Sequence, residues 1–162
     1  MNIKFLVNDY MLIWNLLFGP SISETVHKMK QKLWMNYQKQ YGKIQKDRNL
    51  LFMEQKNFIP DDDTLYNLFL ETEVYDTIKK ETEKYRLSLL KIWDENKKEA
   101  SSILKELLRF DIKPYKVLVV HPNLEVVDYS KDKKCNILVY GKKNKDKDSI
   151  QILTDLIYGI VK

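Results

Sequence analysis

Hydrophobic residues recur at helical spacing through the first two-thirds of the chain. The first set consists of Leu6, Tyr10, Ile13 and Leu17. Because side chains three or four positions apart lie on one face of a helix, this set predicts an amphipathic first helix. The dipeptide Gly19-Pro20 is a helix breaker and predicts where this helix ends.

A second helix is predicted to run from the segment Ser21-Ile22-Ser23-Glu24 toward Gly42, because this segment has the pattern of a capping box. Its expected inward-facing residues are Ile22, Val26, Met29, Leu33 and Tyr37. Pro60 then begins a turn, and helical periodicity returns over residues 64–96 with a break near Glu73. One more helix is predicted over residues 101–110.

The pattern changes after Pro114 from helical to strand-like. Residues 117–120 form a run of β-branched and apolar residues that ends at His121-Pro122, residues 124–129 are a second short candidate, and residues 136–140 are a third. Asp148 or Ser149 is then expected to cap a last helix over residues 150–161. The sequence therefore predicts an α+β fold in which a small sheet of two or three strands and one helix follow the helical part.

Composition agrees with a folded chain that occupies one domain over residues 1–162, with a helical part over about 1–110 and a strand-containing part over about 111–162. Hydrophobic residues make up 44% and charged residues 31%, which is neither the composition of a disordered chain nor that of a membrane protein. Only four Gly and four Pro occur, and this scarcity disfavours a turn-rich all-β fold.

The net charge of +5 comes almost entirely from lysines, because the chain contains only three arginines, Arg48, Arg86 and Arg109. Seven lysines and two acids occupy the stretch from Lys131 to Lys147. This stretch is interpreted either as a solvated loop or as the rim of a weak nucleic-acid or anion site. The shortage of arginine, and the lack of aromatic residues within the lysine clusters, disfavour nucleic acid.

Cys135 is the only cysteine, so the chain can form no internal disulfide and no zinc site built on several thiolates. This usage fits a reducing compartment, and a cytoplasmic location without a membrane anchor is the expectation. The apolar N-terminus is interrupted by Asn8, Asp9 and Asn15 and lacks a cleavage site, which disfavours an export signal. Lys133 and Lys134 beside Cys135 leave open a thiol of lowered pKa, although a structural thiol is preferred.

Few residues are candidates for chemistry. The run of carboxylates from Asp61 to Asp63 is interpreted as helix capping in preference to a divalent-metal site, because consecutive side chains diverge. His27 is expected to face solvent, and His121 to end a strand, with a catalytic role for His121 left open. No set of catalytic or metal-binding residue types stands at a recognised spacing, so the sequence predicts no catalytic site, metal site or cofactor.

Residues 117–162 resemble the start of a zincin metallopeptidase core. In that family a strand ending in Pro, a hairpin with an Asn-Ile-x-Val-like strand and a hydrophobic helix lead to the motif His-Glu-x-x-His. The last helix here has Thr154 and Tyr158 where the two metal-binding histidines would stand, and Asp155 where the catalytic Glu would stand. Leu156, Ile157 and Gly159 coincide with a typical motif helix.

The resemblance implies a non-catalytic relative of the zincins, since a hydroxyl and a phenol are poor zinc ligands and Asp155 would have no metal-bound water to act on. It also implies that a third ligand would lie beyond residue 162, so a fragment of a longer protein is one interpretation. Whether Thr154, Asp155 and Tyr158 are relics of a metal site or ordinary helix residues stays open at this point.

Three classes of function follow from these patterns. The leading hypothesis is a non-catalytic, degenerate zincin-like domain that binds a protein partner or a second copy of itself. The first alternative is an enzyme whose site is dispersed along the chain and uses, for example, His121, Asp155 and Tyr158. The second alternative is weak binding of nucleic acid or anions by the lysine-rich loops.

Overall fold

The computed structural model describes residues 2–52, 58–108, 114–131, 136–143 and 147–161. Its strands are β1 (Ile3–Leu6), β2 (Tyr115–Val119), β3 (Val126–Lys131) and β4 (Asn136–Gly141). Its helices are α1 (Asp9–Phe18), α2 (Glu24–Asn36), α3 (Gln38–Ile44), α4 (Asp47–Phe52), α5 (Thr64–Leu70), α6 (Glu73–Leu108) and α7 (Ser149–Val161). The predicted α+β class, with a mostly helical N-terminal part, is confirmed.

The four described strands form one sheet in the order β1-β2-β4-β3. β1, β2 and β4 are parallel, and β3 pairs antiparallel with β4 at the edge. The prediction of two or three strands lacked β1, because Leu6 was assigned to the first helix. Ile3 and Phe5 are buried while Lys4 and Leu6 are exposed, which is the alternation of a strand, and pairing with β2 stabilises it.

Helices cover both faces of the sheet. On one face, Leu118, Val120, Ile137 and Val139 pack in a cluster with apolar residues of α1 to α5 and the first turns of α6. On the other face, Val117, Val119, Leu138 and Tyr140 pack with the later part of α6 and with α7. Consecutive residues of β2 and β4 thus point into opposite cores, which explains why both strands are continuously apolar in sequence.

The helical part differs from the prediction at three places. Ser23, and not Ser21, caps α2, since its hydroxyl accepts a hydrogen bond from the Val26 amide at 3.2 Å. The helix expected to reach Gly42 is interrupted at Tyr37, whose non-helical backbone separates α2 from α3. The break near Glu73 is confirmed, but the helix after it continues to Leu108 as a single α6, where two helices were expected.

The last helix follows the prediction closely. Asp148 caps α7, because its carboxylate accepts a hydrogen bond from the Gln151 amide at 2.8 Å and the Gln151 side chain accepts one from the Asp148 amide. Ile152, Leu153, Leu156 and Ile160 form its buried face against the sheet. Among the described residues, no helix is both long enough and apolar enough to cross a lipid bilayer.

Two glycines offer a matched test of this architecture. A Cβ atom at Gly141 would lie 2.7 Å from the carbonyl oxygen of His121, whereas one at Gly42, within α3, would meet nothing within 4 Å. We therefore expect Gly141→Ala to lower the free energy of unfolding by about 1–3 kcal/mol. Gly42→Ala should raise it by up to about 1 kcal/mol, because Ala has the higher helix propensity. Urea unfolding of the two variants measures both effects, and equal changes would contradict the close approach of β4 to His121.

Candidate functional site

The three α7 residues at the positions of the degenerate motif each have an ordinary structural environment. The Thr154 hydroxyl donates a hydrogen bond back to the Ile150 carbonyl at 2.8 Å. Tyr158 is 63% exposed. Asp155 forms ion pairs with Lys142, at 3.3 Å, and with Lys147. Its carboxylate is therefore held by two ammonium groups, each of which repels a metal cation.

The titration of Asp155 reflects these contacts. Partial burial acts to raise its pKa, but the hydrogen bonds and positive charges of Lys147 and Lys142 outweigh burial and hold the pKa below the ordinary value of 3.8. Among the described residues, no group of three or more His, Cys, Asp and Glu side chains could hold a metal ion. The chemistry that α7 offers at this surface is thus an ion-paired carboxylate beside an exposed phenol.

His121 lies just after β2 and is almost fully buried. Its Nδ1 accepts a hydrogen bond from the Asn123 amide at 3.2 Å, which caps the short 3-10 helix Pro122–Leu124. Nε2 therefore carries the ring proton and donates to a carboxylate oxygen of Glu81 at 2.9 Å. Both ring nitrogens are engaged, so His121 connects the end of β2 to α6, and the prediction that it ends the strand agrees with its position.

The dispersed site suggested as an alternative is not assembled by these contacts. His121 faces Glu81 of α6, whereas Asp155 faces the two lysines that follow β4, and no hydrogen bond or ion pair of the described residues joins His121 to Asp155. Between them, the Tyr85 hydroxyl donates to the Lys142 carbonyl at 3.0 Å. Hydrogen bonds and ion pairs thereby connect the carboxyl ends of β2 and β4 to α6 and α7.

The remaining sequence candidates have simple environments. Asp61 pairs with Lys46 at 2.6 Å and Asp62 with Lys43 at 3.0 Å. Asp62 also accepts a hydrogen bond from the Thr64 amide at 3.2 Å, whereas Asp63, the N-cap residue of α5, makes no side-chain capping hydrogen bond within the described part of the chain. Cys135, Lys133 and Lys134 lie outside the described residues, as does Asp132. His27 is exposed, as predicted.

One feature that the sequence did not predict is a cavity of about 460 Å³. It lies between the end of α1, the exposed face of α2 and Tyr41 of α3. Its lining consists of Leu17, Gly19, Pro20, Ser21, His27, Lys30, Gln31, Trp34 and Tyr41. The helical spacing of His27, Lys30 and Trp34 places them on one face of α2, which is the only sequence signal of the cavity.

Polar groups line one side of this cavity. The Lys30 ammonium donates a hydrogen bond to the Gly19 carbonyl at 2.6 Å, and burial lowers its pKa. The hydroxyl of Ser21 and Nδ1 of His27 are 3.3 Å apart. A serine beside a histidine is the start of a nucleophilic site, but the described residues place no carboxylate against this histidine to orient it.

Comparisons with known proteins identify no relative of this chain. No family model matches the sequence, no curated protein matches it, and no solved structure matches its fold. Function is therefore argued from the residues and contacts described above.

His121 offers a test of the crosslink between β2 and α6. We expect His121→Ala to lower the free energy of unfolding by about 1–3 kcal/mol, because it leaves a buried cavity and removes the acceptor of the Asn123 amide. Glu81→Gln should cost less than about 1 kcal/mol, since the Glu81 side chain is 59% exposed. His121→Asn keeps a capping acceptor and should fall between them. Chemical denaturation gives this ranking, and a larger cost for Glu81→Gln would contradict it.

Asp155 offers a test by pH. Its pKa is lowered in the folded state, so its contribution to stability is present above the ordinary value of 3.8 and is lost as pH falls through the folded-state value. We expect Asp155→Asn to reduce stability by about 0.5–1 kcal/mol at pH 7, and the difference to vanish in strong acid. Thermal unfolding from pH 7 to pH 2 measures this difference. A stability difference between the two proteins that stayed constant with pH would contradict the ion pairs.

Proposed function

We propose that this chain is a non-catalytic, degenerate zincin-like domain that functions by binding an extended, acidic segment of a partner protein at the edge of β3. The observation that carries the proposal is the pairing of Asp155 with Lys142 and Lys147. Two positive charges therefore lie beside Asp155, the α7 position at which a zincin would have its catalytic acid. The metal of a zincin would lie next to that acid.

The order of elements supports the zincin-like part of the proposal. β2, the β3–β4 hairpin and α7 follow one another as the resemblance implies. α7 packs on the hairpin, since a Cβ at Gly159 would lie 3.0 Å from Leu138 and 3.5 Å from Val127. The side chains of Thr154 and Tyr158 are a hydroxyl and a phenol, which do not replace two imidazoles as zinc ligands.

The edge of β3 supports the binding part of the proposal. No described strand pairs with its outer side, and an edge strand presents backbone amides and carbonyls to which an extended peptide can add. Val127 lies on this edge with 45% of its surface exposed. An exposed apolar side chain on an open edge provides a contact for alternate side chains of an added strand.

The charge of the sequence from Lys131 to Lys147 indicates the chemistry of the partner. Seven lysines and two acids lie between Lys131 and Lys147, while Asp128 of β3 is already paired with Arg48. The excess of lysine in this part of the sequence attracts an acidic segment and repels one that carries Lys or Arg. The proposal therefore specifies an acidic, extended segment.

A metal and activity assay tests the non-catalytic part. The purified chain, incubated with excess zinc and dialysed, is expected to retain less than one zinc per chain and to leave casein uncleaved. Zinc at one equivalent together with cleavage that a chelator abolishes would overturn the proposal. An Asp155→Ala variant serves as the matched control, since it removes the carboxylate without altering the apolar face of α7.

A peptide titration tests the binding part. We expect a capped peptide of alternating Glu and Val to bind and to shift the amide resonances of β3. A capped peptide of alternating Lys and Val should bind with an affinity at least about tenfold lower. Val127→Glu should weaken binding of the acidic peptide. Ile59→Glu, which alters another exposed aliphatic residue, should leave that binding unchanged. Equal binding of the two peptides, or shifts away from β3, would contradict the proposed surface.

A further inference from the structure

The open cavity beside α2 has the volume of a small-ligand site. Its volume of about 460 Å³ falls within the range of about 300–1,000 Å³ that such sites occupy. It lies among the helices that cover one face of the sheet, and its lining shares no residue with the edge of β3 or with α7. Ligand binding here is therefore independent of the function proposed above.

One part of the cavity is apolar and aromatic. Trp34 and Tyr41 meet edge to face, with ring centroids 5.1 Å apart, and Leu17 and Pro20 complete this part. Trp34 is 52% exposed, which leaves a large aromatic surface uncovered on a helix. A planar ring would bury this surface and gain the favourable geometry of an aromatic pair.

The polar part of the cavity has hydrogen-bond donors and no acid. An ammonium group has three protons, and Lys30 uses one of them on the Gly19 carbonyl, so two remain for a ligand. No carboxylate of the described residues pairs with Lys30, and none lines the cavity. The positive charge on this side of the cavity therefore lacks a negative partner.

Tyr41 adds a second donor. The residue is only 5% exposed, it lines the cavity, and its hydroxyl makes no hydrogen bond within the described part of the chain. Burial raises the pKa of Tyr41 to about 12, so the phenol keeps its proton at neutral pH. Because the hydroxyl oxygen itself is not fully buried, it is open to the cavity and can donate to a ligand there.

We propose that this cavity binds a small aromatic carboxylate, with its ring against Trp34 and its carboxylate accepting hydrogen bonds from the Lys30 ammonium and the Tyr41 hydroxyl. An anion satisfies both donors at once and neutralises the lysine, whereas a neutral ligand leaves the charge uncompensated. A cationic ligand would be repelled by Lys30. A monoanion matches the single permanent positive charge in the lining.

N-acetylphenylalanine and its amide are a matched pair of probes, since they differ only in the carboxylate. We expect the acid to bind at least about tenfold more tightly than the amide. Trp fluorescence of the full chain gives the affinities, and the signal should disappear in Trp34→Phe, because Trp14 donates to the Ile44 carbonyl away from the cavity and Trp93 is buried. Amide-resolved NMR locates the site.

Variants separate the carboxylate contacts from folding. Lys30→Met should reduce the ratio of acid to amide affinity to about one, whereas Lys32→Met, two residues along α2 and outside the cavity, should leave it unchanged. Tyr41→Phe keeps the buried ring. It should weaken binding of the acid by about threefold to tenfold and leave the affinity for the amide unchanged. Circular dichroism checks that each variant is folded.

The outcomes are distinct. A higher affinity for the acid that depends on both Lys30 and Tyr41 supports the site. Equal affinities for the acid and the amide, a ratio unchanged in both Lys30→Met and Tyr41→Phe, or resonance shifts outside α2 and α3 would each overturn it. None of these results changes the expected behaviour of the β3 edge or of Asp155.

Discussion

The burial of β2 and β4 on both faces is the constraint on which the rest of the structure depends. Side chains of consecutive residues in these strands enter two separate cores. A sheet of this kind is stable only if helices exclude water from each face. The chain meets this requirement with α1 to α5 on one side and with most of α6 and α7 on the other, and the long α6 contributes to both clusters.

Because the faces are covered, polar chemistry is confined to the ends and edges of the sheet. At the carboxyl ends of β2 and β4, several polar groups are paired: His121 with Glu81, Tyr85 with Lys142, and Asp155 with two lysines. The hydroxyl of Tyr140, near the end of β4, is buried without a hydrogen-bond partner among the described residues. These contacts connect strands to helices. β1 and β3 are the edge strands of the described sheet, and Val127 of β3 is 45% exposed.

The cavity beside α2 differs from the carboxyl end of the sheet. There a lysine without an acidic partner and a buried tyrosine without a hydrogen-bond partner stand next to an exposed tryptophan. These donors line the cavity, where they are available to a ligand that carries an acceptor. Donors without an acidic partner beside an exposed tryptophan are the main physical reason to seek ligand binding in the helical layer.

Local signals in the sequence determined much of the architecture. The apolar runs at 117–120 and 136–140 became buried strands, and Asp148 became the cap of α7, since strand propensity and capping depend on neighbouring residues. Tertiary structure decided what depends on distant residues. Ile3 and Phe5 form a strand because β2 lies beside them, His121 meets Glu81 across 40 positions, and the cavity exists because the Gly19-Pro20 turn folds over α2. Hydrophobic periodicity within a segment does not identify contacts with residues that are distant in the sequence.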